Sequence, residues 1–273
     1  MSFFERASRP RVFAHRGGCT IGPENTIAAF ERGLAAGADG LELDVHLSSD
    51  GVVVVCHDAT LDRTTDSSGR VDRLTAAELA RVDAGCRFVD AAGRFPFRGC
   101  GVGVPMLRDV LRRFRDVPII VEMKVDHPEM GHAVAAEVLA ASAIDRVCAA
   151  SEGSRAIRAA REALPGLATS ATRWDVRLAL YRSWLRWPVR DVPYGGYQVP
   201  ERAGLIRVVS PAFIGHAHEA GLEVQVWTVD EAADMERLLN WGVDALISNR
   251  PDVAVSVRNR AMSVGQFTRE SQR

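Results

Sequence analysis

The chain places ionisable side chains at three points within or just after strand-like apolar runs. His15 and Arg16 follow Val12-Phe13-Ala14; Glu42, Asp44 and His46 alternate with Leu41, Leu43, Val45 and Leu47; Glu122 and Lys124 follow Ile119-Ile120-Val121. Side chains two apart on a strand share a face. Glu42, Asp44 and His46 therefore point one way, and the leucines and the valine point the other. Two adjacent carboxylates, buried bare, would cost on the order of several kcal/mol unless a cation or a proton intervened. With Glu122 on the next barrel strand, the donors are three carboxylates with no cysteine beside them. Such a set suits one hard divalent cation, Ca2+ or Mg2+, better than zinc. The competing reading is a structural network in which Arg16 and Lys124 neutralise the acids.

A second histidine joins the cluster through a hairpin. Residues 47–57 are too few for a parallel return, so Leu47 and Val52 should flank the turn of an antiparallel pair. His57 then returns to about the level of Glu42. Two histidines on separate elements, converging on carboxylates, read as an acid and a base. Arg16 and Lys124 add fixed positive charge at the same place. Of the 34 basic side chains, 33 are arginine and Lys124 is the one lysine, a compact point charge rather than a planar fork. Two cations, a divalent ion and an acid–base pair together suit a phosphate ester.

The elements that must position these groups are legible as alternating periods. Strand-like runs lie at 11–15, 39–46, 117–124, 145–150, 167–171, 196–199, 222–228 and 243–248. Helical periodicity fills 24–37, with Pro23 near its first turn, and then 105–115, 129–142, 152–163, 174–186, 211–220, 231–240 and 251–259. Eight strand–helix units predict an α/β fold, a closed (β/α)8 TIM barrel, whose active site lies at the C-terminal ends of its strands. The hairpin and a polar insertion, about 58–104 with a short helix signal at 75–83, follow the second strand. The whole chain, 1–273, reads as one domain, with the barrel over about 11–259 and a polar tail, 260–273, that should fray.

At this point the residues resemble a known family. His15–Thr26 (HRG-x5-PENT), Gly37–Thr65 (GADGLELDVHLSSDGVVVVCHDATLDRTT), VPMLRDVL, VEMK and VWTVD are similar to the glycerophosphodiester phosphodiesterases, over about residues 11–254. The resemblance implies a TIM barrel with a small insertion after the His57-Asp58 pair. It implies acid–base roles for His15 and His57, metal ligation by Glu42, Asp44 and Glu122, and phosphate binding by Arg16 and Lys124. Trp227 looks like the aromatic at the substrate mouth. The implied reaction is hydrolysis of a glycerophosphodiester to glycerol 3-phosphate and an alcohol. The substrate's own 2-hydroxyl attacks phosphorus, and water opens the resulting cyclic phosphate. Which histidine is acid and which is base stays open. A lysophospholipid substrate, with a sphingomyelinase D-like stop at the cyclic phosphate, and a non-catalytic phosphodiester-binding barrel are the alternatives. Two positions depart from the family: Asp230 stands where Asn is frequent, and Ser248-Asn249-Arg250-Pro251 replaces a TDRP-like ending. Neither departure is expected to touch the reacting residues.

Composition narrows the partners. A formal charge of −1 argues against a nucleic-acid binder. No run approaches the roughly 20 apolar residues of a membrane span, and MSFFERASRP lacks the apolar core of a secretory signal. Five scattered cysteines without a CxxC argue against disulfides or zinc and favour a cytoplasmic setting. The aromatic stretch 183–197 (SWLRWPVRDVPYGGY) reads first as a loop over a barrel end and second as a membrane contact.

Overall fold

The computed structural model describes residues 3–4 and 10–270, with side chains to 263. Most of the start expected to lack a signal, and residues 271–273 of the tail, lie outside the described residues. The chain begins with β1 (Arg11–His15), α1 (Ile27–Ala35), β2 (Gly40–Leu47) and β3 (Val53–Val55). A short helical turn at 71–73, α2 (Ala76–Leu79), α3 (Leu107–Arg113), β4 (Ile119–Met123) and α4 (Pro128–Ala140) follow. Next come β5 (Val147–Ala150), α5 (Arg155–Ala163), β6 (Ala168–Thr169), α6 (Arg173–Leu185) and β7 (Gly196–Pro200). The last elements are β8 (Arg202–Ala203), β9 (Ile206–Arg207), α7 (Pro211–Glu219), β10 (Glu223–Trp227), α8 (Ala232–Trp241), β11 (Ala245–Ser248) and α9 (Pro251–Glu270).

Eight parallel strands form a nearly closed barrel in the order β6-β5-β4-β2-β1-β11-β10-β7, with the helices outside. The ends meet through a single parallel bridge, Ser170 to Gly196, with the Ala171 amide donating to Gly196 at 3.0 Å. β6 is shorter than the predicted 167–171 because positive-φ Gly166 precedes it and Thr172, the capped start of α6, follows closely.

β2 shows the expected alternation. Leu41, Leu43 and Val45 pack outward with residues of α3, α4 and α5 in one large core. Gly40, at the strand's start, admits no side chain, because a Cβ there would lie 2.5 Å from the Phe13 ring. A second large core covers β7, β10 and β11 with α6 to α9. The barrel's outer packing is thus divided into two halves.

β3 pairs antiparallel with β2 in the register Leu47–Val53 and Val45–Val55, one residue beyond the predicted Leu47–Val52 pairing. The Ser48 hydroxyl accepts from the Val52 amide at 3.0 Å and holds the turn. The following segment folds round its own small core of Leu61, Val71, Leu79 and Val104 against Val54. Helix α1 starts later than the predicted 24. Asn25 is left-handed at φ +58°, and Thr26 is the N-cap, its hydroxyl accepting from the Ala29 amide. The small β8–β9 hairpin was not foreseen, since four strand residues give no periodic signal. Helix α9 continues to Glu270, through most of the stretch that composition reads as frayed. No helix among the described residues is long and apolar enough to cross a membrane.

Candidate active site

His15 ends β1, Glu42 and Asp44 lie on β2, and Glu122 lies on β4. The pairing His15–Glu42 and Asp44–Glu122 brings them level at the C-terminal rim. Each carboxylate offers an oxygen within 4.8 Å of the others. Asp44 is fully buried, and its Oδ1 has no hydrogen-bond partner. The other oxygen, Oδ2, accepts from Asn25 Nδ2 at 2.9 Å, while the Asp44 amide donates to Asn25 Oδ1. An all-oxygen donor set with an unsatisfied buried carboxylate oxygen fits a hard divalent cation.

The cations stand against these acids. Arg16 Nε lies 3.1 Å from Asp44, and its backbone amide donates to Glu42 at 3.0 Å. Lys124 Nζ lies 3.1 Å from Glu122 and 3.4 Å from Asp44. Burial would raise the Asp44 carboxyl, but Arg16 and Lys124 outweigh it and hold the group below its ordinary range. Glu42 goes the other way. Burial, then Asp44 and Glu122, push it well above the usual carboxylate range. Glu122 is also raised by burial, with Lys124 opposing.

The two histidines have different backing. His15 Nδ1 lies 2.7 Å from Asn249 Oδ1, and Asn249 Nδ2 donates to Asp230 at 2.8 Å. Because Asp230 accepts from the amide nitrogen, the Asn249 oxygen faces the ring, so His15 carries its proton on Nδ1. Nε2 is left as an acceptor, 3.8 Å from Glu42. Burial lowers the His15 pKa, despite the Asn249 bond. His57 Nδ1 instead donates to Asp58 at 2.6 Å. Arg63 donates to Asp58 and holds that carboxyl down at about 2, then reaches Glu24 at 2.7 Å. His46 Nε2 donates to the His57 carbonyl at 3.0 Å, so this third histidine of the sequence pattern braces the loop.

Of these groups, six border one cavity of about 640 Å³. His15, Arg16, Glu42, His57, Glu122 and Lys124 form one side. Trp227, partly exposed at the end of β10, stands at the mouth with Leu180, Val199, Ile206 and Val208 on the apolar side.

Residues 15–253 match the model of the glycerophosphoryl diester phosphodiesterase family. The chain belongs to this family. A glycerophosphodiester phosphodiesterase of Caldanaerobacter subterraneus subsp. tengcongensis is 30% identical to this family member over 90% of this chain and 96% of its own. The solved phosphodiesterase domain of Mycobacterium tuberculosis Rv2277c shares the fold at a TM-score of 0.79 and 24% identity, covering 93% of this chain and all of that one. A glycerophosphodiester phosphodiesterase from Agrobacterium tumefaciens matches at 0.74 and 28% identity, over 90% of this chain and 99% of that one.

Against the family pattern, the two departures prove to be partners. Asp230 and Asn249 bond each other, and Asn249 bonds His15, so the expectation that neither touches the reacting residues is wrong. The neutral amide of Asn249 stands against the histidine, with the Asp230 carboxylate behind it. Sequence reasoning also passed over Asp58 and Arg63. Both lie inside the quoted motif, and an aspartate directly after a candidate acid–base histidine was the available signal. Asn25, within the PENT string, orients Asp44 directly.

Proposed function

We propose that this chain hydrolyses glycerophosphodiesters to glycerol 3-phosphate and an alcohol with His15 as base and His57 as acid. The observation that carries the reading is the pair of histidines on one cavity wall, each with Nδ1 engaged and Nε2 left for the cavity. Glu42, Asp44 and Glu122 would hold Ca2+ or Mg2+, which when bound draws charge from the phosphoryl oxygens. Arg16 and Lys124 fix those carboxylates and add positive charge beside the phosphate. Trp227 lines the entrance for the alcohol portion.

His15 suits the base. Buried and backed by a neutral amide, it is unprotonated at neutral pH and takes the proton of the substrate's 2-hydroxyl on Nε2. The hydroxyl oxygen attacks phosphorus and the bond to the leaving alcohol breaks. His57, whose charged form would stand against the Asp58 carboxylate, gives its Nε2 proton to that alcohol. The product of this step is a cyclic phosphate. With the roles reversed, water opens it to glycerol 3-phosphate. The apolar wall supports lysophospholipids as a second substrate class. We read 1–273 as one functional domain, and the five free cysteines support a reducing, cytoplasmic setting.

The test is incubation with glycerophosphocholine and a panel of divalent ions, with assay of glycerol 3-phosphate and phosphorus NMR for the cyclic species. Turnover that survives both EDTA and His15→Ala overturns the proposal.

A further inference from the structure

Helix α6 has two apolar faces. Val176, Ala179, Leu180 and Ser183 follow the helical period and turn inward. Trp174, Leu178, Tyr181, Trp184 and Leu185 follow the same period on the outside. Trp174 is 70% exposed, Tyr181 61%, Trp184 60% and Leu185 71%. The Tyr181 and Trp184 rings pack edge to face at 5.5 Å on this outer face. Trp187, in the loop beyond, is 65% exposed, and Leu205 at the tip of the β8–β9 hairpin is 95% exposed. Contiguous exposed apolar groups of this extent mark an interaction site.

The charge around the patch says what fits it. In a chain of formal charge −1, the segment 173–190 carries five arginines and one acid, Asp175. Asp175 is spent as the capping partner of Thr172. Arg173 pairs with Glu152. Among the described residues no carboxylate pairs with Arg177, Arg182, Arg186 or Arg190. Tryptophan, tyrosine and leucine interleaved with unpaired arginine is the composition of a helix lying in the interface of an anionic bilayer. The same helix lines the cavity through Arg173, Val176, Arg177 and Leu180, and the same hairpin does so through Ile206, so the patch lies beside the cavity and Arg182, Arg186 and Arg190 are the arginines left to it. A second copy seated there would stand over the cavity mouth.

We propose that the outer face of α6, with Trp187 and the β8–β9 tip, docks this protein on an anionic lipid surface. The docking deepens the phosphodiesterase reading by setting the cavity mouth at the membrane, but it is measured without turnover. The full chain is sedimented with vesicles of phosphatidylcholine, with and without phosphatidylglycerol. The expected result is pelleting with the anionic vesicles, reduced about tenfold or more by the triple change Trp174→Ser, Trp184→Ser, Leu185→Ser. Arg186→Gln with Arg190→Gln should weaken binding to the anionic vesicles while the circular dichroism spectrum stays the same. Equal pelleting of wild type and the triple variant overturns the proposal. So does a wild type that ignores both vesicles, or one that self-associates through this face in their place. Loss of glycerophosphocholine turnover in His15→Ala with vesicle binding retained would separate the reaction from the docking.

Discussion

The two sides of the cavity are made of different material. The side built by β1, β2 and β4 is crowded with charge: three carboxylates, two cations and two histidines, fixed by a network reaching Asn25, Asp58, Arg63 and Glu24. The side built by β7, α6 and the β8–β9 hairpin is mainly valine, leucine, isoleucine and proline, with Arg173, Arg177 and Gln198 among them. Each side rests on its own outer core. The charged side is over-determined, because an unsatisfied buried ion is costly and every group needs a partner. The other side is held mainly by apolar packing, which asks less of each partner. On the function proposed above, the reaction rests on the first side and selection of the alcohol or surface on the second.

The division is tested hardest at the histidines. His15→Ala and His57→Ala should each lower kcat/KM by about 10²–10⁴-fold. If the assigned roles hold, a substrate with a nitrophenolate leaving group restores much of the loss in His57→Ala and little in His15→Ala. Equal rescue of both would erase the distinction.

Next in size is the support of the ion site. Asn25→Ala releases Asp44 Oδ2 and should raise the Ca2+ or Mg2+ concentration for half-maximal rate by about 10–100-fold, read from a metal titration. A change of similar size from an alteration at Val199 or Val208 would show that the two sides are not separate.

A smaller effect is expected from the group behind His15. Its pKa lies below 6.5, and a base must be unprotonated to act, so activity should rise with pH along a limb centred below 6.5. Asn249→Asp places a carboxylate beside the ring and should move that limb upward. An unmoved limb would mean that His15 is not the base.

Stability should shift modestly and in the opposite sense to activity. The folded pKa of Glu42 is raised above 4.5, so its contribution is present at lower pH and is lost as pH rises through the folded value. The metal-free protein should therefore lose stability with rising pH, and Ca2+ or Mg2+ should oppose the loss. Glu42→Gln removes this charge and should raise Tm in EDTA by about 2–4 °C while abolishing turnover, checked by calorimetry. The smallest effect on soluble substrate, less than about twofold, is expected for exposed changes such as Leu185→Ser.

Seven candidate site residues were readable from sequence because their relations are local. Alternation along β2 aligns Glu42 and Asp44, and a hairpin count places His57 near them even with the register one residue out. Asn249 was not readable as a partner of His15, because the contact spans 234 positions and exists only once the barrel brings β11 against β1. The outward face of α6 was hidden for a different reason. The period places a helix at 174–186, close to the Arg173–Leu185 found, but apolar residues on both of its sides leave no contrast to say which face is buried.

Where β6 meets β7, one bridge and a pair of backbone bonds join a two-residue strand to a glycine. Amides there should exchange with solvent ahead of those in β1 and β2. The ring is thus most compliant on the side away from its charges. Its wall can give at that point to take a bulkier guest while the spacing of the carboxylates stays fixed.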